Sequence, residues 1–172
     1  MNKFLLPFVL LFIFVFESIF VGMLPERLLN RDLILVPHFL LIVLLFLTVF
    51  GDKKRGIIYA FIFGLLFDVV YTEVIGINLF MFPVIAYIVG NLMRILQSNI
   101  IVATITSIFG IALLELGVYE LYYLLNITSM NFSTFGEVRL IPTLILNCIF
   151  AILFAYPLKR QSEKYAAELS ND

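Results

Sequence analysis

Long apolar runs and short polar breaks alternate along the whole chain. Residues 4–22, FLLPFVLLFIFVFESIFVG, form a first run of the length needed to cross a membrane, about 20 residues. Pro7 lies in its first turns, where a missing N–H matters least. A polar connector, 25–32, leads to a second run, 33–51, with Pro37 and His38 near its start. The charged break Asp52-Lys53-Lys54-Arg55 follows. Further runs occupy 56–71, 77–96 and 100–125, with Pro83 a candidate kink and Gln97-Ser98-Asn99 a minimal turn. Residues 126–138 make the longest loop, and a last run, 139–158, closes at Pro157. The pattern predicts six transmembrane helices within residues 1–158 and a charged cytosolic tail, 159–172, that frays as a helix. Continuous runs without period-two alternation argue against a β-barrel.

Composition agrees and narrows the class. The chain has 172 residues, 63% hydrophobic and 13% charged, too few polar groups to surface a soluble domain of this size. Asn2 and Lys3 before an apolar run resemble a signal peptide, but Glu17 interrupts the run and no small-x-small cleavage site follows, so it reads as the first membrane helix. Lys3, Lys53, Lys54, Arg55, Arg94, Lys159, Arg160 and Lys164 share one side of such a bundle, against Arg27, Arg31 and Arg139 on the other. The positive-inside rule then places both termini in the cytosol. A net charge of −1 carries no nucleic-acid footprint. The single Cys148, within an apolar run, supplies neither a disulfide framework nor a cysteine metal cluster and reads as packing.

Candidate chemistry lies in the few charges within the runs. An acid at the centre of a membrane helix costs about 2.5–3.5 kcal/mol on insertion scales, so each needs a reason. At about 1.5 Å per residue, Glu17, Asp68, Glu115 and Arg139 all fall in the outer half of the bilayer. Three acids and one base at similar depth suggest a shared polar cluster, with Arg139 pairing Asp68 or Glu115 or anchoring at the interface. Asn147, two turns from Arg139 on one helical face, extends the stripe inward. Asp68 and Glu115 are expected to face the interior; Glu17 either joins them or reaches the outer interface. His38 reads as an interfacial polar residue rather than a ligand. The Asp52–Arg55 loop has the chemistry to meet anionic lipid or a cytosolic partner, but reads first as a topology anchor. Small residues four apart, Ala60/Gly64, Ala86/Gly90, Ala103/Ser107, Thr106/Gly110 and Ala151/Ala155, predict close helix packing.

Catalytic signatures are missing from the sequence. It contains no G-x-x-x-x-G-K-[ST] loop and no H-E-x-x-H, and one histidine cannot build a His-rich metal site. No nucleophile has an identifiable base, so neither an enzyme nor a cofactor is expected.

Several segments together resemble the MreD family of rod-shape-determining membrane proteins. They are KFLLPFVLLF with Glu17-Ser18-Ile19-Phe20, the central FGLLFDVVYTEVIGINLF with Gly64 and Asp68, the LLE ending at Glu115, and RLIPTLILN at 139–147. The resemblance covers about residues 1–158. It implies a bacterial cytoplasmic-membrane scaffold of the wall-elongation complex. Its implied partners are MreC, a bitopic protein, the MreB filaments, a RodA-type glycosyltransferase and a class B penicillin-binding transpeptidase. It also implies a six-helix layout similar to the substrate-binding subunits of energy-coupling-factor transporters, which gives an alternative, a solute-capture subunit. A filled interior would favour the scaffold, and a sizeable outward cavity with convergent polar groups the capture subunit.

Overall fold

The computed structural model describes residues 5–23, 33–72, 74–96 and 99–170. The connector 25–32 with Arg27 and Arg31, the residues Gln97 and Ser98, and Lys3 lie outside the described residues. Every regular element described is helical: α1 Leu5–Met23, α2 Phe39–Phe50, α3 Lys53–Tyr71, α4 Ile77–Leu96, α5 Ile100–Leu124, α6 Phe132–Phe135 and α7 Ile141–Ser170. A π-helical turn, Gly136–Leu140, joins α6 to α7. Among the described residues, four stretches are long and apolar enough to cross a membrane by themselves: α1, α4, α5 and Phe132–Ser170.

The bundle is built around α2. Each residue from Phe39 to Thr48 is buried, as expected of a helix that is apolar on every side. α1, α3, α4, α5 and α7 all pack on it. Those helices bury one face each. In α1 the buried residues are Leu6, Leu10, Phe14 and Glu17, at helical spacing, while Phe8, Phe12 and Ile19 point outward. Outward apolar side chains suit lipid as solvent, so helix association rests on close packing. The small residues expected at contacts are buried, including Ala60, Gly64, Ala86, Gly90 and Gly110. A Cβ on Gly110 would stand 3.0 Å from Ile85 Cγ2 and 3.2 Å from Leu45 Cδ1, so α5 reaches α2 and α4 through the missing methyl.

Three expected boundaries move. The run 33–51 is not one helix: residues 33–38 are non-helical and α2 starts at Phe39. Pro37 has no N–H and disfavours helical geometry at Val36, so the helix cannot extend back through it. The loop 126–138 is shorter than expected. Asn126, at φ 55°, ends α5 in the left-handed conformation that asparagine tolerates, and α6 begins at Phe132. Tyr119 secures this end, donating from its hydroxyl to the Met130 carbonyl at 2.9 Å and stacking on Phe135 at 4.2 Å.

The last helix also does not stop at Pro157. α7 runs through it to Ser170. Pro157 and Leu153, the residue whose carbonyl the proline leaves unbonded, are both exposed, so the break falls on the outer face. The expected frayed tail is instead docked. Ser162 and Tyr165 are buried, and Arg55 Nη1 donates to Tyr165 Oη at 2.9 Å, tying the end of α7 to the start of α3.

Candidate functional site

Most buried polar side chains among the described residues gather at two places, and each is the start of a helix. The first N–H groups of a helix have no partner within it, and lipid offers none. A helix that begins inside a bundle must therefore borrow acceptors from its neighbours.

At α4 the acceptor is Asp68, in the last turn of α3 and 0% exposed. The chain leaves α3 at Tyr71 and turns through Gly76, whose φ of 117° needs a residue without Cβ, before α4 starts at Ile77. Asp68 Oδ2 accepts from the Gly76 N–H at 2.8 Å and the Leu79 N–H at 2.9 Å. Its Oδ1 accepts from the Asn78 N–H at 3.0 Å and from Asn78 Nδ2 at 2.9 Å, with Thr72 Oγ1 at 3.3 Å. The start of a helix, with its unpaired N–H groups and positive dipole end, is a favourable place for an acidic side chain. One turn before Asp68, Gly64 lets the Asn78 carbonyl come so close that any Cβ there would collide with it. The Gly64-x-x-x-Asp68 spacing thus serves one purpose: the glycine admits the first turn of α4 and the acid caps it.

The second place is the approach to α2. Residues 33–38 bring non-helical backbone into the bundle, tolerable there only with partners. The Ile34 N–H donates to the Val138 carbonyl at 2.8 Å and the Val36 N–H to Thr143 Oγ1 at 3.2 Å. Asn147 then treats the segment as a neighbouring strand would. Its Oδ1 accepts from the His38 N–H at 2.7 Å, and its Nδ2 donates to the Val36 carbonyl at 2.9 Å. Inside the helix proper, Glu17 Oε2 accepts from the Leu40 N–H at 3.0 Å.

Next to this backbone lies the ionic group. Arg139 Nε donates to Glu115 Oε2 at 2.7 Å, and His38 Nε2 lies 2.6 Å from Glu115 Oε1. Glu115 is 1% exposed and His38 is buried; Arg139 keeps part of its side chain outward. Arg139 belongs to the π-helical turn, where the wider winding re-aims side chains relative to an α-helix.

The structure therefore sorts the expected cluster into parts. Glu115 and Arg139 meet, Glu17 and Asn147 join them around residues 36–40, and Asp68 stands apart at the end of α3, against the start of α4. His38 is corrected from interfacial to buried: Pro37 makes it the residue before α2, so its backbone and ring both fall inside the bundle. Thr72, Asn78 and Thr143 were missed. The available signals were the turn glycine two residues before Asn78 and the one-turn spacing of Thr143 and Asn147. Among the described residues no group of three His, Cys, Asp or Glu could hold a metal ion. Away from these centres, an apolar groove of about 510 Å³ runs between α5 and α7, with exposed Ile101, Ile105, Ile152 and Tyr156 on its walls.

This is a multi-pass membrane protein whose buried polar groups support its own helices. Residues 2–161 match the family described as rod shape-determining protein MreD, and the chain belongs to that family, a bacterial family of rod-shape-determining membrane proteins. It is 35% identical over 159 residues to the rod shape-determining protein MreD of Bacillus subtilis (strain 168), covering 92% of each chain. It is 30% identical over 122 residues to the cell shape-determining protein MreD of Streptococcus pneumoniae (strain ATCC BAA-255 / R6), covering 71% of this chain and 74% of that one. No solved structure matches the chain.

Proposed function

We propose that the chain is a non-enzymatic scaffold of wall elongation. It would bind an MreC-like bitopic protein through its membrane faces and connect a RodA-type glycosyltransferase and a class B penicillin-binding transpeptidase to MreB filaments. The observation that carries this reading is the use made of the interior polar groups. Asp68, Glu115 and Asn147 spend their donors and acceptors on the chain's own backbone and side chains. A solute-capture subunit needs such groups converging on a cavity instead. Recognition then falls to the outer apolar faces, of which the α5/α7 groove is one.

The scaffold reading goes with six crossings, both termini cytosolic, and a transmembrane unit of residues 1–158. α2 alone spans about 18 Å. The non-helical residues 33–38, which span at most about 20 Å, supply the rest of the roughly 30 Å hydrocarbon core. In this orientation the Asp52–Arg55 loop and the end of α7, linked through Arg55 and Tyr165, form the surface towards the filament.

The test is affinity purification of the full chain from membranes in mild detergent, with co-purifying proteins identified by mass spectrometry. An MreC-like protein or the wall-elongation synthases are expected. Recovery of ABC-type ATPases with a coupling membrane subunit would replace the scaffold by the capture subunit of an energy-coupling-factor transporter.

A further inference from the structure

The basic residues at the start of α3 divide between two neighbours. Arg55 reaches Tyr165 on α7, whereas Lys53 reaches α4. Lys53 Nζ donates to Asn91 Oδ1 and sits 4.9 Å from the centre of the Tyr87 ring. Gly90 makes room for its stem, since a Cβ there would stand 3.2 Å from Lys53 Cε. An ammonium group has three N–H donors, and Asn91 takes one of them. The aromatic face holds the charge in place without neutralising it.

Two more cations share this corner. Lys54 lies two turns before Phe61 on one face of α3, and Arg94 lies two turns after Tyr87 on one face of α4. Both are exposed. The neighbouring acid in sequence, Asp52, is turned to the Arg55 N–H at 2.7 Å. Within α3 and α4 themselves the one acid is Asp68, at the far end of α3.

Phe61 and Tyr87 also line an apolar groove between α3 and α4, of about 470 Å³, which continues past Val84 and Phe80 to Gly76. Phe61, Phe80 and Tyr87 are exposed, so the groove opens to lipid and not into the bundle. At 1.5 Å per residue, Gly76 to Tyr87 spans about 16 Å, close to half of the roughly 30 Å hydrocarbon core. The groove is as long as one leaflet is deep, and it meets the cations at Tyr87.

An apolar groove that ends at three cations fits a molecule with an acyl chain and an anionic head. A free phosphate would use the cations alone, and an uncharged chain the groove alone. The groove between α5 and α7, of about 510 Å³, lacks this pairing. Lys159, one turn beyond Ala155 at its end, already lies 3.7 Å from Glu163.

We propose that the α3/α4 groove binds an anionic phospholipid, with an acyl chain along Phe61 and Phe80 and the phosphate at Lys53, Lys54 and Arg94. This stands independently of the recruitment of wall enzymes.

The experiment uses the full chain purified in mild detergent. Native mass spectrometry and melting temperature are recorded with added phosphatidylglycerol, phosphatidylethanolamine or glycerol 3-phosphate. A retained adduct and a raised melting temperature are expected with phosphatidylglycerol and with neither of the others. Lys54→Gln with Arg94→Gln removes two exposed charges and keeps the contact of Lys53 with Asn91, so retention should fall about ten- to thirtyfold. Arg160→Gln with Lys164→Gln removes two exposed charges of the α7 tail and should change retention by no more than about twofold. Val84→Trp fills the groove, touches no cation and should abolish retention; if it does not fold, the two charge pairs decide. Equal retention of phosphatidylglycerol and phosphatidylethanolamine would overturn the proposal. So would equal stabilisation by glycerol 3-phosphate, equal losses from the two charge pairs, or wild-type retention by Val84→Trp.

Discussion

Replacing Asp68 by leucine keeps most of the side-chain volume and removes both acceptors at the start of α4. The backbone N–H groups of Gly76, Asn78 and Leu79 and the Asn78 amide then lose their partner. A hydrogen bond to a charged group contributes about 1.5–3 kcal/mol net, and a buried donor left unsatisfied costs about 1–3 kcal/mol. The four donors share two oxygens and relax together, so the terms do not add fully, and a loss of about 4–6 kcal/mol is expected. An exposed cap costs only about 0.5–2 kcal/mol to remove, because water replaces it. Asp68 is 0% exposed, and no water stands in. Against a typical total of about 5–15 kcal/mol, this is a large share.

Asp68→Asn separates the acceptor from the side-chain shape. One oxygen survives and can still serve Asn78. The new NH2 group faces N–H donors that it cannot satisfy, so about half the loss should remain. The assay is the melting temperature of the purified full chain in one mild detergent, read by fluorescence-detected size exclusion after heating. At about 2–4 °C per kcal/mol for a chain of this length, the leucine variant should melt about 10 °C or more below wild type, with asparagine between them. A leucine variant of normal yield melting within about 2 °C of wild type would refute the capping role.

Asn147→Leu leaves the His38 N–H and Val36 carbonyl unpaired, a cost of about 2–4 kcal/mol, and should speed hydrogen exchange at residues 36–40 before any other segment. Gly64→Val drives a side chain into the Asn78 carbonyl and should cost about 1–3 kcal/mol; unchanged melting and an unchanged yield of cysteine crosslinks between α3 and α4 would count against the close approach. Arg139→Leu leaves Glu115 with His38 alone and should cost about 3–5 kcal/mol, while the double change with Glu115→Leu should recover part of the loss. Strictly additive effects in that cycle would mean the pair is not coupled.

The runs that became α1, α3, α4 and α5 were legible because lipid demands a continuous apolar stretch of fixed length. The start of α2 was not. Pro37 announces a break, but what lets the broken segment stay inside is Thr143 and Asn147, more than a hundred residues away. Depth along each run left Arg139 with Asp68 or Glu115 as its partner, or at the interface, and only the fold decides for Glu115. Asp68 was placed in the interior but given the wrong kind of partner. Its donors are mostly backbone N–H groups, which every residue has and no sequence pattern marks. His38 was misread for the same reason. A lone histidine reveals whether it is buried only when the helix start beside it is known, and a non-helical chain before α2 advances differently from a helix.

The three acids also follow a rule that no sequence repeat displays. Glu17 sits in the second half of α1 and caps α2; Asp68 sits in the last turn of α3 and caps α4. Glu115 sits in the second half of α5 and holds Arg139 in the turn that leads into α7. Asp68 lies in the last turn of its own helix, where the dipole disfavours it, and all three acids reach towards the start of a later helix, where an N–H group or a cation favours them. The unfavourable half is tolerable only if the next helix is held close. An acid so placed therefore opposes any arrangement in which the pair separates. In lipid, where apolar contact alone does not drive helices together, such a polar tie selects one partner and one register. The acids then act as local fasteners between helices, which explains why Asp68 lies outside the group formed by Glu115 and Arg139 although counting along the sequence puts all three at similar depth. It also explains how a bundle this apolar can keep a defined outer surface for other membrane helices to recognise.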